Sequence, residues 1–262
     1  MKKIPQDIIG NIAILKFPKR TLWITKKLKA KIFLNKTPKV TTVLEKTEKF
    51  SGKFRILKTK HLAGIRTKEA IYRENSLTFK FNIDKTYFSP RLSNERKVIS
   101  EEIYKIVKKN KNPKILVMFS GVSPYSLVIA KKFKEKKKKA IIYSNELNKD
   151  ANTYSKENIR INKLENYIKL IPGNAKDLPK KLKEKFDIIL MTRPNIKETF
   201  LKSALKLSKK GTTIFYHGFG TKEVVIKEIK DNCKNPIGKI TIRKAGDIGP
   251  YVYRWQAKFK VK

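Results

Sequence analysis

Residues 115–124 have the sequence ILVMFSGVSP, and this stretch decides the fold class. Its first five residues are all apolar, which is typical of a short strand buried on both faces of a sheet. The next five, which include Gly121 and Pro124, form a turn, and apolar residues at helical spacing follow through 125–133. A buried strand, a tight turn and a helix in this order indicate the first unit of a parallel α/β sheet.

The same alternation of strands and helices continues toward the carboxyl terminus. Helices are predicted between successive strands, including one over 150–164, whereas the last two strands have no helix between them and predict an antiparallel edge. The fold class is therefore α/β, with a mostly parallel seven-stranded sheet and helices on both faces. The predicted strands are 115–119, 140–143, 167–171, 187–191, 212–216, 239–242 and 252–260.

The pattern toward the amino terminus is different. A helical stripe of apolar residues begins near Ser93 and ends before Pro113. The residues before this stripe alternate in the manner of short strands. We therefore predict two domains: a small β-rich α+β domain over residues 1–92 and the parallel α/β domain over residues 93–262. The strands predicted in the small domain are 41–44, 53–57, 69–73 and 77–83.

The chain carries a large excess of positive charge. Its 262 residues include 64 Lys and Arg against 22 Asp and Glu, which gives a net charge of +42 at pH 7. A surplus of this size favours RNA or DNA as a partner, although lysine enrichment in a hot habitat is an alternative explanation for part of it. No basic amphipathic helix and no apolar run of membrane-spanning length stands out, so we expect no membrane association.

Cysteine and histidine are scarce. Cys233 is the only cysteine, and His61 and His217 are the only histidines. One cysteine excludes a disulfide framework and a zinc site built on paired cysteines, and two histidines exclude a histidine-rich metal site. We expect a cytoplasmic protein that holds no metal.

The end of the first parallel strand is the expected ligand site. In an open α/β sheet, ligands bind at the carboxyl ends of the strands where the strand order reverses. Gly121 lies at the end of the first strand and Glu146 follows the second, which suits a nucleoside whose ribose hydroxyls bind the carboxylate. Pro124 removes an N–H where a phosphate would bind, so S-adenosylmethionine fits better than a dinucleotide. The spacing fits equally well if Gly121 only forms a turn and Glu146 only solvates a strand end.

Several segments in sequence order resemble one enzyme family. Residues 87–96, YFSPRLSNER, resemble the Y-F-S-P-R-L-x-x-E-R signature of the archaeal and eukaryotic tRNA (guanine-37-N1)-methyltransferases. The resemblance covers nearly the whole chain, which makes it more specific than any one motif. The other matching segments are 9–15 (IGNIAIL), 52–55 (GKFR), 61–64 (HLAG), 118–126 (MFSGVSPYS), 146–148 (ELN) and 158–164 (NIRINKL).

The resemblance implies a fold, a reaction and partners. The fold is a Rossmann-like class I methyltransferase domain preceded by a small domain. The reaction is methyl transfer from S-adenosylmethionine to N1 of guanine-37 in the anticodon loop of tRNA, and some archaeal relatives also methylate C7 of a wyosine precursor at that position. Archaeal members often carry a further N-terminal domain that contacts the outer corner of tRNA. The second domain should start at Ile4-Pro5, which is already near the first residue of the sequence, so we expect that module to be missing. We expect a monomer.

The same resemblance assigns catalytic roles. It places the family's general base at Glu95 and its charge-stabilising arginine at Arg55. This pairing is chemically sensible, because methylation of N1 removes a proton and places negative charge on O6. From the residues alone, Glu95 is equally well explained as an acid in the first turn of a helix, and Arg55 as one more surface cation.

Binding residues follow by similarity as well. The cofactor-binding residues are predicted to be Tyr87, Arg91, Phe119, Gly121, Pro124, Glu146 and Asn174. The nucleic-acid-binding residues are predicted to be Arg55, Arg96, Arg193 and Asn195.

Three departures from the family pattern leave alternatives open. Ser123 replaces the second glycine, Asn174 replaces an aspartate, and 192–195 (TRPN) replaces the N-L-P-K or N-P-P-Y motif beside the target base. One alternative is the related wyosine aminocarboxypropyltransferase, which lacks the S-P-R-L-x-x-E-R sequence. The other is a non-catalytic tRNA-binding protein on a methyltransferase scaffold, which retention of Glu95 and Arg55 disfavours.

Overall fold

A computed structural model describes residues 4–47, 56–233, 237–249 and 252–262. The chain forms two compact units, Met1–Pro90 and Arg91–Lys262. Within the described ranges, no helix has both the length and the apolar character needed to cross a membrane.

The first unit contains β1 (Gln6–Ile9), β2 (Ile12–Leu15), α1 (Trp23–Lys36), β3 (Thr42–Lys46), β4 (Thr59–Gly64), β5 (Glu69–Glu74) and β6 (Leu77–Asn82). Strands β1 to β4 form a sheet in the order β1-β2-β3-β4, and β5-β6 is a separate hairpin. Strands β2 and β3 run parallel because α1 connects them, while the other pairs are antiparallel. The buried residues between α1 and the sheet include Ala30, Val43 and Leu62.

The turn between β1 and β2 explains why the 9–15 segment contains a glycine followed by an asparagine. Gly10 has a φ of 58°, and a Cβ atom there would lie 1.9 Å from the carbonyl oxygen of Ile71. The next residue, Asn11, accepts a hydrogen bond of 2.7 Å from the Ile71 N–H through its side chain. A glycine followed by an asparagine therefore allows this turn to contact β5 closely.

The structure adds one helix and moves one strand in this unit. Helix α1 was not predicted, because it has no side-chain cap or first-turn acid and leaves Ile24 and Leu28 exposed between lysines. Of the predicted strand 53–57, residues 53–55 lie outside the described ranges. Leu57 is in a loop, and the strand begins at Thr59.

The second unit contains α2 (Ser93–Val107), β7 (Lys114–Met118), α3 (Pro124–Glu135), β8 (Ile141–Glu146), α4 (Lys149–Ile161), β9 (Ile168–Pro172), α5 (Leu178–Lys181), β10 (Phe186–Met191), α6 (Leu201–Lys206), β11 (Ser208–Gly220), α7 (Lys222–Asn232), β12 (Thr241–Gly249) and β13 (Val252–Lys260). These strands form one seven-stranded sheet in the order β12-β13-β11-β10-β7-β8-β9. Strands β7 to β11 are parallel, and β13 runs antiparallel to both of its neighbours.

This topology confirms the predicted fold class, including the antiparallel edge at the carboxyl terminus. The four residues 115–118 of β7 are fully buried, as expected of a strand covered on both faces. Strand β7 lies between β8 and β10, so the strand order reverses there. The carboxyl end of β7 is therefore the place where an open sheet of this kind binds a ligand.

Candidate active site

The turn after β7 has an unusual backbone. Phe119, Gly121 and Ser123 have φ values of 64°, 56° and 65°, so three of five consecutive residues are in the left-handed region. The Ser120 N–H donates a 2.8 Å hydrogen bond to the carbonyl of Asn145 at the end of β8. Left-handed residues with side chains concentrate at functional sites, where the surrounding structure holds them in place.

A network of buried hydroxyl groups compensates for the serine at position 123. Ser123 Oγ donates to Ser155 Oγ at 2.9 Å and lies 2.9 Å from Ser144 Oγ, and Ser155 Oγ in turn donates to the Gly121 carbonyl at 3.0 Å. Ser126 Oγ lies 2.8 Å from Ser144 Oγ, which completes the network. The family's glycine would adopt this φ more easily, but it would remove one member of the network.

Glu146 is bound to the β7 turn through its carboxylate. Its Oε2 accepts a 2.8 Å hydrogen bond from the Gly121 N–H, and its Oε1 accepts from the N–H groups of Leu147 and Asn148 at 2.9 and 2.8 Å. Burial raises the pKa of Glu146, and the three N–H groups oppose that shift. Since an ionised carboxylate has about four acceptor sites, the half-buried Glu146 can accept a further hydrogen bond from a ligand hydroxyl.

The loop after β9 meets the same edge of the sheet. The Gly173 N–H donates to the Glu146 carbonyl at 2.8 Å, and the Asn145 side chain donates to the carbonyls of Ile171 and Gly173 at 2.8 and 2.9 Å. The next residue, Asn174, accepts from the Lys176 N–H at 3.0 Å through its side chain. The structure thus brings Phe119, Gly121, Pro124, Glu146 and Asn174 to the carboxyl ends of three adjacent strands.

The residues after β10 differ in exposure. The Thr192 hydroxyl donates to the carbonyls of Met118 and Phe119, at 3.1 and 3.0 Å, so it is hydrogen-bonded to the β7 turn. Arg193 is 3% exposed and donates to Glu228 at 2.8 Å. Asn195 is exposed. A direct contact of Arg193 with nucleic acid would require its pair with Glu228 to open.

Glu95 lies in the first turn of α2 and forms an ion pair with Arg243 of β12. The two guanidinium nitrogens donate to the two carboxylate oxygens at 2.6 and 2.9 Å. Glu95 is buried, and burial raises its pKa, while the neighbouring Arg243 opposes the shift. Arg243 was not among the predicted site residues.

Beside this pair lies a group of buried aromatic and cationic side chains. Arg96 is 1% exposed, and its guanidinium lies 5.8 Å from the centre of the Tyr125 ring. The His217 ring meets Tyr125 edge-on at 5.9 Å, and burial together with nearby arginines lowers the pKa of His217 well below its usual value. His217 is therefore a neutral, buried histidine.

Three further predicted residues are Arg55, Tyr87 and Arg91. Arg55 is outside the described residues, and Tyr87 belongs to the first unit, where the adjacent Phe88 stacks on Phe81 with ring centroids 4.6 Å apart. Arg91 begins the second unit and is exposed.

The serine network predicts losses of stability of different size for two substitutions at position 123. Ser123→Ala should lower the free energy of unfolding by about 1–3 kcal/mol, because it removes a buried hydrogen-bonding group and keeps a side chain in the left-handed region. Ser123→Gly should lower the free energy of unfolding by less than Ser123→Ala does, since glycine adopts this φ without strain. Urea denaturation of both variants measures the difference, and an alanine variant as stable as the glycine variant would contradict this account.

Comparison with known proteins agrees with this geometry. A family model described as the TRM5/TYW2 methyltransferase domain matches residues 70–242. The chain is 33% identical over 215 residues to tRNA (guanine(37)-N(1))-methyltransferase Trm5b of Pyrococcus abyssi, covering 82% of this chain and 59% of that protein. It is 42% identical over 158 residues to tRNA (guanine(37)-N(1))/4-demethylwyosine(37)-methyltransferase Taw22 of Nanoarchaeum equitans, covering 60% of this chain and 48% of that protein.

A solved structure extends the comparison to the whole fold. The complex of aTrm5 and tRNALeu superposes on the chain with a TM-score of 0.82 at 25% identity, covering 98% of this chain and 72% of that one. The chain spans about half to three fifths of the length of the two relatives named above, with coverage of 48% and 59%. The family indicated by the sequence motifs is confirmed: the match to residues 70–242 covers more than half of the 262 residues, and the chain belongs to the TRM5/TYW2 methyltransferase family.

Proposed function

We propose that the protein transfers a methyl group from S-adenosylmethionine to N1 of guanine-37 in tRNA. The observation that carries this proposal is the buried carboxylate of Glu95, at the start of α2 within the 87–96 segment. The family membership supplies the reaction class, and the relatives named above supply the substrate by analogy.

The cofactor site is proposed at the carboxyl ends of β7, β8 and β9. S-adenosylmethionine supplies the methyl group when it is bound there. The residues fit such a ligand because Glu146 offers a carboxylate to ribose hydroxyls while Pro124, at the start of α3, offers no N–H to a phosphate. Within the part of the chain that the structure describes, Glu146 is held by backbone N–H groups and not by a cation, so its charge also favours a cationic cofactor in a chain of net charge +42. The other proposed lining residues are Tyr87, Arg91, Phe119, Gly121 and Asn174.

Two side chains are proposed to act on the guanine. Methylation requires the N1–H bond to break, and we assign Glu95 to accept this proton. We assign to Arg55 the stabilisation of the negative charge that develops on O6. This role rests on the resemblance alone, because Arg55 lies outside the described residues. Together, these roles move a proton and stabilise an oxyanion, as general-base and electrostatic catalysis require.

The proposed macromolecular partner is tRNA, bound through its anticodon stem-loop. The net charge of +42 supports a polyanionic partner. Arg91 and Asn195 are exposed, whereas Arg96 and Arg193 are buried, so a direct contact of these two arginines with RNA requires them to become exposed. A monomer in the cytoplasm remains part of the proposal.

A wyosine precursor at the same position is the second candidate substrate. The observation that favours it is Thr192, whose hydroxyl is hydrogen-bonded to the β7 turn where the family pattern has an asparagine. A threonine is shorter than an asparagine and offers no amide to the target base, so more room is left beside it. The similarity to Taw22, whose name includes both substrates, supports the same candidate.

The proposed base predicts the effect of one substitution. Glu95→Gln should lower the single-turnover rate of methyl transfer by about 10²–10⁴-fold, because glutamine keeps the shape but accepts no proton. Affinities for tRNA and S-adenosylmethionine should change by less than about threefold, since the side chain remains polar and of equal size. Glu101→Gln, on the same helix, is the matched control and should keep the wild-type rate. Equal losses of rate and binding in Glu95→Gln would refute the role.

The substitution at position 192 predicts a change of selectivity. Thr192→Asn should favour guanine over the tricyclic wyosine precursor by about tenfold or more, because the longer side chain narrows the space beside the base. Rates on two tRNAs that differ only at position 37, followed by nuclease digestion and chromatography of the labelled nucleoside, measure this ratio. Thr153→Asn makes the same chemical change on the exposed side of α4 and should leave the ratio unchanged. An unaltered ratio in Thr192→Asn would remove Thr192 from substrate choice.

A further inference from the structure

Arg243 is placed by the fold to hold the proposed base. The register between β12 and β13 pairs Thr241 with Lys258, so Arg243, two residues further along β12, lies on the same face of the hairpin as Lys258. Helix α2 presents Glu95 and Glu102 two turns apart, and therefore on one side. The two carboxylates meet the two cations: Arg243 pairs with Glu95, and Lys258 pairs with Glu102 at 2.9 Å.

Arg243 and Glu95 form a bidentate ion pair, in which the guanidinium acts as a two-pronged fork. Both carboxylate oxygens accept a guanidinium N–H, at 2.6 and 2.9 Å, which fixes the plane and rotation of the carboxylate. Each oxygen keeps a second acceptor site, so Glu95 can receive a substrate proton while the pair is intact. The Arg243 side chain is 36% exposed and that of Glu95 is 8% exposed, so the carboxylate, not the guanidinium, is the desolvated partner.

The carboxylate of Glu102 also lies near Arg243 and remains charged when Glu95 takes up a proton. Arg243 Nε lies 3.8 Å from Glu102 Oε1. Protonation of Glu95 would remove the charge that pairs with the guanidinium, and Glu102 then supplies a negative charge 3.8 Å from Arg243 Nε. The arrangement thus offers Arg243 a counter-ion both before and after proton transfer, which limits the cost of the charge change.

We propose that Arg243 is the positioning residue of the general base, and that it keeps the Glu95 carboxylate ionised and oriented for the substrate proton. This inference rests on the proposed function. It goes beyond the family resemblance, which assigned the base to Glu95 and gave no role to Arg243.

The charged and titratable groups around Glu95 determine how the loss of Arg243 should change the pKa of Glu95. Glu102 on α2 raises the pKa of Glu95, whereas Arg243 on β12 and Arg254 on β13 lower it. Tyr125 on α3 also faces Glu95, and Arg96 lies beside that tyrosine. Arg243 donates a hydrogen bond to each oxygen of the Glu95 carboxylate. Without Arg243, burial and the charge of Glu102 should raise the pKa of Glu95 further, so a higher pH is needed to ionise it.

The test is the pH profile of the single-turnover methylation rate for Arg243→Gln and Arg243→Lys, at saturating tRNA and S-adenosylmethionine. A base must be ionised to act, so the rate rises with pH through the pKa of Glu95. In Arg243→Gln the midpoint of this rise should move up by about one unit or more, and the rate at neutral pH should fall by about tenfold or more. Arg243→Lys keeps the charge but not the fork, so it should show a smaller shift of the midpoint than Arg243→Gln.

A matched control separates this role from a structural one. Lys244→Gln removes one positive charge from the adjacent position of β12, where Lys244 pairs with Asp247 at 2.6 Å, and should leave both midpoint and rate as in the wild type. A residue that only ties β12 to α2 would lower the melting temperature, or lower the rate equally at every pH. An unshifted midpoint in both Arg243 variants would overturn the inference.

A direct titration distinguishes failure of this inference from failure of the proposed function. Carboxyl ¹³C NMR of the full chain follows the ionisation of Glu95 without any need for turnover, and Glu95→Gln identifies its signal. A higher midpoint for Glu95 in the Arg243 variants supports the inference even if the wild type methylates no tRNA, in which case the proposed function fails. Methylation by the wild type with an unmoved Glu95 midpoint contradicts the inference and leaves the proposed function standing.

Discussion

The hydrogen bond from the Gly121 N–H to the Glu146 carboxylate is the interaction on which the candidate site depends. It joins the turn after β7 to the end of β8 at the point where the strand order reverses. The left-handed residues of that turn bring the Gly121 N–H to the carboxylate, and the buried serine network holds them there. The loop after β9 and the hydroxyl of Thr192 are then bonded to the same two strand ends.

Two buried or half-buried carboxylates are stabilised in different ways in a strongly basic chain. Glu146 accepts hydrogen bonds from three backbone N–H groups, which stabilise its charge without neutralising it. Glu95 instead accepts one hydrogen bond at each carboxylate oxygen from the guanidinium of Arg243. The first arrangement suits a ligand that needs a negative partner, and the second suits a base that must be ionised and correctly oriented before its substrate arrives.

The α/β half was predictable because its signals are local and strong. Strand β7 is apolar at every position after Lys114, and Asn148 caps α4 by accepting from the N–H groups of Asp150 and Ala151. The switch-point rule also predicted that Gly121 and Glu146 would lie near the ligand edge, and the structure shows them hydrogen-bonded to each other. The functional roles of these residues stay predictions.

Other features could not be read from the sequence because they depend on distant contacts. Helix α1 carries many lysines and no capping signal, so only its packing on the sheet identifies it. Arg243 is separated from Glu95 by 148 positions and is one of 64 cationic residues, so no local pattern distinguishes it. Ser123 was recognised as a departure, but its hydroxyl partners come from β8 and α4.

The proposed reaction can be tested by nucleoside mass spectrometry of tRNA after incubation with the protein and isotope-labelled S-adenosylmethionine. Two matched tRNAs, with guanine or adenine at position 37, make the test specific for the base. We expect label on N1 of guanine-37 and none on the adenine-37 tRNA. Label at another nucleoside in both tRNAs, or no label in either while the protein still binds them, would contradict the proposed reaction.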